Sequence, residues 1–195
     1  MDIPLSPSDR LLQSRGYDLF SEYDEIVRAT GMPAGPVLEL ATGTGRMCAV
    51  LTQHYPLVVT GDISLDGIPR VRQRVPAAQL GRLAFLQLDM ERLPFRDRSV
   101  PFILCVNTLH ETAAPRRCLE EMLRVLRPGG VLAVGDFNET GFDTMQWIHE
   151  EVYHNDHERG AMPVGEAEPV LRTRGGSLRR LETALNTTFI LSGVS

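Results

Sequence analysis

The sequence lacks several features that would place it in a specialised class of protein. Its three cysteines, Cys48, Cys105 and Cys118, form no Cys-x-x-Cys pair, which argues against a zinc site or a disulfide framework. No apolar run approaches the roughly 18 residues needed to cross a bilayer. The first residues, MDIPLSPSDR, lack the basic and then apolar pattern of a secretion signal. We therefore expect a cytoplasmic protein with reduced, structural cysteines and no membrane association.

Excess positive charge is also missing, since 20 Lys and Arg against 25 Asp and Glu give a formal net charge of -5. Proteins that bind nucleic acids usually supply several basic residues to neutralise phosphates, so a nucleic-acid partner is not expected. The hydrophobic fraction of 43% and the charged fraction of 23% are those of an ordinary globular protein. A length of 195 residues corresponds to one domain.

Short apolar runs alternate with amphipathic stretches, which is typical of a parallel sheet covered by helices on both faces. The runs predicted as strands are VLEL from Val37, LVVTGD from Leu57, LAFLQLD from Leu83, VPFILCVN from Val100 and VLAVGDF from Val131. Two further strands are predicted within Ser177 to Val194, joined near Asn186, and so short a connection makes them antiparallel. The sequence therefore predicts an α/β fold with a single doubly wound, mostly parallel seven-stranded sheet and a C-terminal antiparallel hairpin.

Helices are predicted at Gly16 to Thr30, Arg116 to Arg127 and Asp143 to His157. In the second of these, apolar residues recur at i, i+3, i+4 and i+7 from Leu119, which gives one stripe for packing on the sheet. The segment Pro128-Gly129-Gly130 is expected to end that helix, because proline cannot continue the hydrogen-bond ladder and glycine tolerates the turn.

The most informative segment is VLELATGTGRM, residues 37 to 47, in which a strand runs into a glycine-rich turn and then into a helix. Gly43 and Gly45 remove side chains where the backbone bends, so that a ligand could approach main-chain N–H groups at a helix N-terminus. The alternative is a tight turn that binds nothing. A dinucleotide fingerprint would need a third glycine where Cys48 stands, and no Lys-Ser or Lys-Thr pair follows for a phosphate loop.

Two acids follow later strands at the edge where this loop lies. Asp62 ends the second strand and Asp89 the third, and ligands of open α/β sheets bind at the carboxyl ends of the strands. Asp62 could accept hydrogen bonds from two ribose hydroxyls, or it could instead be a turn or capping acid in the run GDIS. Together with the glycine loop, these acids predict a crevice suited to a nucleoside.

The segment from Val37 to Phe137 resembles class I S-adenosylmethionine-dependent methyltransferases, especially the small-molecule branch that includes ubiquinone and menaquinone methyltransferases. The motifs that carry the resemblance are Glu39 to Gly45, LDMERLPFRDRS from Leu88, CVNTLHE from Cys105 and LRVLRPGGVLAV from Leu123. The resemblance implies a Rossmann-like fold with S-adenosylmethionine as cofactor and S-adenosylhomocysteine as product. Its expected contacts are Glu39, Ala41, Thr42, Gly43 and Gly45 near the methionine portion, Asp62 and Ile63 at ribose and adenine, Asp89 and Met90 at the adenine edge, and backbone of Asn107 and Thr108.

This resemblance also divides the single domain into three segments. Residues 1–34 would form a helical lid or packing segment, residues 35–137 the cofactor-binding core, and residues 138–195 the acceptor side. Two residues depart from the family pattern. Ala41 replaces the first glycine, which is harmless if its φ is negative. Pro101 replaces an acid early in the fourth strand and should lie at the start of that strand, because proline cannot donate to a ladder.

Few catalytic groups are needed for methyl transfer, which depends mainly on positioning. His110, after the fourth strand, is the best-placed base if the acceptor carries a proton, although it could also be a loop residue bonded to backbone. The run WIHEEVYHNDHE, Trp147 to Glu158, could line the acceptor pocket through Trp147 or Tyr153 or form a solvated helix face. His149, His154 and His157 do not share one helical face, and no metal site is predicted.

Three functional hypotheses remain open on the sequence. The first is methyl transfer from S-adenosylmethionine to a small-molecule acceptor, which the acidic charge favours. The second is an NAD(P)-dependent oxidoreductase, since the strand, glycine loop and acid are shared with dinucleotide folds. The third is a methyltransferase-like binding or regulatory module without turnover, suggested by Ala41, Pro101 and the small size. The sequence indicates no oligomeric state.

Overall fold

The computed structural model describes residues 3–195, in which seven strands form one sheet. The strands are β1 (Val37–Leu40), β2 (Val58–Asp62), β3 (Leu83–Gln87), β4 (Val100–Val106), β5 (Leu126–Phe137), β6 (Ser177–Glu182) and β7 (Asn186–Ser192). Their spatial order is β3-β2-β1-β4-β5-β7-β6. β1 to β5 pair in parallel, and β7 is antiparallel to β5 and β6. The predicted fold class and hairpin are confirmed. Met1 and Asp2 of the predicted N-terminal segment lie outside the described residues.

Helices cover both faces of this sheet. The α-helices are α1 (Pro7–Ser14), α2 (Leu19–Ala29), α3 (Arg46–His54), α4 (Ile68–Arg74), α5 (Pro115–Val125), α6 (Glu139–Ile148) and α7 (Ala167–Arg172). Successive residues of a strand point to opposite faces, so Val37 joins a core with α2, α3 and α6, whereas Leu38 joins a second core with α5 and α7. The sheet is therefore buried between two layers of helices, as its apolar strands require.

The helix before β5 ends earlier than the sequence predicted. α5 stops at Val125 rather than Arg127, and Pro128-Gly129-Gly130 lies inside the irregular start of β5. Here the register with β4 jumps from Val100↔Leu126 to Phe102↔Val131. Pro101 lies at the same irregularity, one residue into β4, so the expectation that it begins the strand is confirmed. A proline is tolerated there because the regular ladder starts only after it.

The N-terminal segment contains two helices where one was predicted. α2 begins at Leu19 rather than Gly16, because the Asp18 carboxylate caps it by accepting from the N–H of Phe20 at 3.0 Å. α1 was not predicted, although its signal is present in the sequence. Ser6 and Asp9 form a capping box around Pro7 at the first helical position.

The helix after β5 is displaced toward the N-terminus. It was predicted from Asp143 to His157 but starts at Glu139, where the Asn138 side chain accepts from the N–H of Gly141 at 2.9 Å. After Ile148 the chain continues as a π-helical turn, His149–Tyr153. Such turns widen the helix and often occur at functional sites. In this protein the turn leads directly into the loop that covers the carboxyl edge of the sheet.

The strand order fixes where a ligand can bind. It reverses between β1 and β4, which are neighbours although two strands separate them in sequence. Loops leaving the two strands then diverge to opposite faces, and the gap between them is the usual ligand site of an open α/β sheet. Within residues 3–195, no helix combines the length and the apolar character needed to span a membrane.

Candidate functional site

A cavity of about 730 Å³ lies at the carboxyl edge of the sheet. The predicted site residues that line it are Glu39, Ala41, Thr42, Gly43, Asp62, Ile63, Asp89, Met90, Asn107, Thr108 and His110. Segments distant in sequence therefore meet in one space. Its volume falls in the range of ordinary small-molecule and cofactor sites.

Gly45 is the predicted site residue that lies outside the cavity lining. A Cβ added there would lie 2.9 Å from the side chain of Val71, and the residue has a φ of 80° at the start of α3. The missing side chain therefore allows the turn and the packing of α4, and the ligand approach that the sequence suggested for Gly45 stays a prediction. At Gly43 the same test meets only the Ala41 carbonyl oxygen, at 4.0 Å, so the backbone there is open to a ligand.

Asp62 joins the glycine loop to the end of β2. Its Oδ2 accepts from the N–H of Gly43 at 3.0 Å, and its Oδ1 accepts from the N–H of Ser64 at 3.2 Å. The turn interpretation is thus correct, and so is the position on the cavity wall. A carboxylate offers about four lone-pair sites, so two hydrogen bonds to backbone leave acceptor capacity for a ligand.

Ala41 has a left-handed conformation, with a φ of 63°. A negative φ would have made alanine harmless at this position, and the structure contradicts that expectation. The N–H of Ala41 donates to the Gly61 carbonyl at 2.8 Å, which holds the bend. A left-handed residue other than glycine costs about 1–2 kcal/mol, so the loop stores strain at its first position.

Glu39 is buried at the base of the loop, where it is 2% exposed. Thr60 donates to its Oε2, and the Cys48 thiol donates to the same atom at 3.6 Å. Burial raises the pKa of Glu39 to about 7 despite these hydrogen bonds, and the charge of Asp62 adds to the rise. Through these polar contacts, Glu39 links β1, the strand that leads into the loop, to β2 and α3.

The rim of the cavity near β2 and β3 combines an apolar and an acidic residue. Ile63 is 72% exposed, which is unusual for so large an apolar side chain. Asp89 is exposed as well, and its Oδ1 accepts from the N–H of Glu91 at 2.8 Å. An apolar face beside an acceptor oxygen suits the face and the amino edge of a purine.

His110, which lines the cavity, forms a buried pair with Asp136. His110 Nδ1 lies 2.7 Å from Asp136 Oδ1, and both side chains are 2% exposed. Because a carboxylate can only accept, Nδ1 carries the proton, which leaves the Nε2 lone pair free in the neutral ring. Burial acts to lower the pKa of His110, but the hydrogen bond and charge of Asp136 raise it above its ordinary value.

The second ring nitrogen of His110, a residue that lines the cavity, is unpaired. Nε2 is buried and has no hydrogen-bond partner in the described part of the chain. Glu111 Oε1 lies 3.8 Å away, beyond hydrogen-bond distance, on an exposed side chain. The interpretation of His110 as a loop residue bonded to backbone is also partly correct, because its N–H donates to Asp136 Oδ2 at 3.0 Å.

The segment after β5 supplies part of the cavity wall. His149, Tyr153, Asn155 and His157 line the cavity. Trp147, which was considered for this role, packs elsewhere, with the Arg15 guanidinium carbon 3.5 Å from its ring centroid. No group of three or more His, Cys, Asp or Glu in residues 3–195 is arranged to hold a metal ion.

Sequence reasoning missed several polar residues of the site. Arg46 lines the cavity and donates to Asp9 Oδ1 at 2.7 Å and to Ser8 Oγ at 2.9 Å. Asp9 also accepts from Arg74 at 2.7 Å. The signal for Arg46 was its place directly after the glycine turn, but nothing in the sequence linked it to α1.

The comparisons with known proteins point to one family. The family model described as a methyltransferase domain matches residues 38–134. A demethylmenaquinone methyltransferase of Clavibacter sepedonicus is 37% identical over 112 residues, which are 57% of this chain and 45% of the relative. A phthiotriol/phenolphthiotriol dimycocerosates methyltransferase of Mycobacterium tuberculosis is 34% identical over 138 residues, which are 70% of this chain and 48% of the relative.

Solved structures agree on the fold. A putative S-adenosyl-L-methionine-dependent methyltransferase from Methanococcus maripaludis superposes with a TM-score of 0.66 at 17% identity, over 100% of this chain and 98% of that one. The chain spans less than half the length of the two curated relatives described above, but the match to the family model includes the glycine loop, Asp62, Asp89 and the segment CVNTLHE from Cys105. On its sequence motifs, its fold and these matches, the chain belongs to the class I S-adenosylmethionine-dependent methyltransferases and resembles the ubiquinone and menaquinone enzymes.

Proposed function

We propose that the chain binds S-adenosylmethionine and transfers its methyl group to a small-molecule acceptor, leaving S-adenosylhomocysteine. The observation that carries this proposal is one cavity lined by the glycine loop, by Asp62 and by His110, whose ring is paired with the buried Asp136. A nucleoside half and a proton-accepting half are thus contiguous, as a two-substrate reaction requires.

The residues present fit the cofactor. Asp62 would accept from the ribose hydroxyls, Ile63 and Met90 would contact the faces of adenine, and Asp89 would accept from its amino group. The open backbone at Gly43 allows close approach at the sugar and sulfur. Glu39, Ala41 and Thr42, with the backbone of Asn107 and Thr108, would surround the methionine portion.

Arg46 is our candidate for the methionine carboxylate. Two guanidinium groups, Arg46 and Arg74, share the single carboxylate of Asp9, so this cluster carries one net positive charge. Arg46 uses Nε and Nη2 for Asp9 and Ser8, and its Nη1 has no hydrogen-bond partner among the described residues. A ligand carboxylate would supply both the missing charge and the missing acceptor.

When bound, S-adenosylmethionine supplies an electrophilic methyl group, which an acceptor lone pair takes as the carbon–sulfur bond breaks and the electron pair stays on sulfur. His110 takes the proton of the acceptor oxygen or nitrogen at Nε2. Asp136 holds the ring in the tautomer that leaves Nε2 free and stabilises the imidazolium that results. The surrounding Phe137 and Met145 limit access of water to this end.

The net charge of the chain and the size of the cavity support a small-molecule acceptor. The net charge of -5 disfavours nucleic acid, and the cavity has the size of a small-molecule site. The cysteines Cys48, Cys105 and Cys118 are free and buried, which suits a reducing compartment, and we propose the cytoplasm on that basis.

Calorimetric titration tests the proposal directly. S-adenosylhomocysteine should bind saturably, whereas NAD(H) at millimolar concentration should not. Incubation with isotopically labelled S-adenosylmethionine and a panel of phenols, amines and carboxylic acids should then yield a labelled product. Saturable NAD(H) binding would favour the oxidoreductase hypothesis. Binding of S-adenosylhomocysteine without turnover on any panel member would favour the non-catalytic module.

A further inference from the structure

A buried chain of hydroxyl groups joins the glycine loop to the carboxyl group of Glu39. Glu39 and Thr60 are register partners on β1 and β2. The Thr60 hydroxyl contacts Glu39 Oε2 and, at 2.6 Å, the hydroxyl of Thr42 in the loop. From α3, the Cys48 thiol donates to the same Oε2 at 3.6 Å. Four polar side chains from β1, the loop, β2 and α3 therefore form one network.

The hydroxyl chain can be completed in two directions. If Glu39 is ionised, its oxygens only accept, so Thr60 donates to Oε2 and Thr42 donates to Thr60. If Glu39 carries a proton on Oε2, that proton is donated to Thr60, and Thr60 donates to Thr42. Every contact remains a hydrogen bond in both cases, and only hydrogen atoms move. The same arrangement of oxygens therefore accommodates both protonation states of Glu39.

Glu39 is the member of this network that titrates near neutral pH. Burial raises the pKa of Glu39 to about 7, hydrogen bonds from Thr60 and Cys48 lower it, and the charge of Asp62 raises it. Cys48 on α3 and Cys105 on β4 are the other titratable groups around it, and burial raises the pKa of both thiols well above the ordinary value. Both thiols therefore stay protonated when Glu39 changes its charge.

A ligand in the cavity can control this charge. Glu39 lines the cavity, and its contacts in the network use Oε2 alone. A positive charge within about 4–6 Å stabilises an ionised carboxyl group, with or without direct contact. Arg46, which begins α3, is already paired with Asp9. S-adenosylmethionine and S-adenosylhomocysteine carry an ammonium group on the methionine portion, which we assign to the region around Glu39.

We infer that cofactor binding releases a proton from Glu39, and that Thr60 is the positioning residue that lets the hydroxyl chain reverse as this proton leaves. The O–H bond of the Glu39 carboxyl group breaks and its proton passes to solvent, while the ligand's ammonium group stabilises the carboxylate. Thr60 then donates to Oε2, and Thr42 donates to Thr60. This inference rests on the proposed function, because it requires the methionine portion to lie beside Glu39.

S-adenosylhomocysteine and methylthioadenosine are matched probes, since only the first has the amino-acid group. Below the pKa of Glu39 a proton has to be displaced, so affinity for S-adenosylhomocysteine should rise with pH. For a pKa of about 7 in the free protein, linkage gives a rise of about ten-fold from pH 6 to pH 8 and release of about half a proton at pH 7. Methylthioadenosine affinity should change less than about two-fold. Calorimetric titrations in buffers of different ionisation enthalpy measure both quantities.

Substitutions in the network separate its members. Glu39→Gln cannot ionise, so the rise with pH should disappear. Thr60→Val removes a hydrogen bond that lowers the pKa of Glu39, so the midpoint of the rise should move to higher pH, whereas Thr60→Ser keeps the hydroxyl and should keep the midpoint. Thr52→Val is the control and should also keep it. Thr52 is as fully buried as Thr60, but its hydroxyl donates to Ala49 and Gln79, outside the network.

The wild-type titrations test proton release without any substitution. Equal pH dependence for the two probes, no proton release, or a rise that survives in Glu39→Gln would overturn the inference. Weaker binding of both probes by Thr60→Val with an unmoved midpoint would show that Thr60 is only structural. If wild type fails to bind S-adenosylhomocysteine at any pH, the proposed function itself is wrong, whereas binding without proton release overturns only the role of Glu39.

Discussion

The two ends of the cavity are built in different ways. At the cofactor end, Asp62 and the glycine loop are adjacent strand ends, and their polar atoms already bond to backbone. At the acceptor end, His110, Asp136 and His157 come from three distant segments, and two nitrogens stay unpaired in the described part of the chain. The region that we propose for the cofactor is thus built from backbone and side-chain contacts that are already formed, whereas the region that we propose for the acceptor contains buried nitrogens without a partner among the described residues.

The largest expected effect is a loss of methyl-transfer rate when His110 is replaced, with little change in cofactor affinity. Replacing His110 by Gln should lower the rate of methyl transfer by about 100-fold or more, the usual contribution of a positioned general base. Affinity for S-adenosylhomocysteine should change less than about two-fold, because its expected contacts lie at the other end. Single-turnover assays and calorimetry would measure both. Exposed His154→Gln is the control, and an equal loss of rate there would argue against a specific role for His110.

The pH dependence of the methyl-transfer rate also tests the role of His110 as a base. The base form of His110 is needed, and Asp136 raises its pKa above 6.5, so the rate should rise with pH through a midpoint above that value. In Asp136→Asn the larger of the two charges that raise the pKa of His110 is gone and only Glu111 opposes burial, so the midpoint should move to lower pH. An unchanged midpoint in Asp136→Asn would show that another group titrates.

The next effect concerns stability near the cofactor end. Burial acts to raise the pKa of Asp9, but Arg46, Ser6 and Arg74 together lower it to about 2, from 3.8 in the unfolded chain. Its ion pairs therefore stabilise the fold by about 2 kcal/mol above pH 3.8, and this contribution is lost as pH falls through 2. Asp9→Asn should unfold at lower urea concentration, with a smaller difference from wild type at pH 3 than at pH 7. Exposed Asp66→Asn should show little change.

A smaller effect separates the methionine portion from the adenosine portion of the cofactor. Arg46→Met should weaken S-adenosylhomocysteine about ten-fold, because it removes a charge-assisted contact to the carboxylate. Methylthioadenosine, which has no amino-acid group, should bind equally to variant and wild type. If both ligands weaken together, Arg46 acts by holding α1 and not by contacting the cofactor.

Much of the cofactor end could be predicted from the sequence, and little of the acceptor end. Asp62 and Asp89 follow strands whose order in a parallel sheet places them at one edge, so local patterns were sufficient. Asp136 and His157 meet His110 only through long-range packing. The π-helical turn that positions His157 has no clear sequence signal, since it depends on how α6 packs against the sheet.

The smallest expected effect concerns the strained residue of the glycine loop. Ala41→Gly relieves a left-handed alanine but adds freedom to the unfolded chain. These effects oppose each other, so urea unfolding should show a stabilisation of no more than about 1 kcal/mol, with unchanged S-adenosylhomocysteine affinity. A loss of stability would mean that the Ala41 methyl group makes a contact that matters to the loop.

The most direct test compares Asp62→Ala and His110→Gln in one calorimetric titration with S-adenosylhomocysteine. Asp62→Ala removes the carboxylate that we propose accepts two hydrogen bonds from ribose, so the dissociation constant should rise ten-fold or more. His110→Gln should match wild type. Equal affinity in both variants, or a larger loss in His110→Gln, would contradict the assignment of the two ends of the cavity.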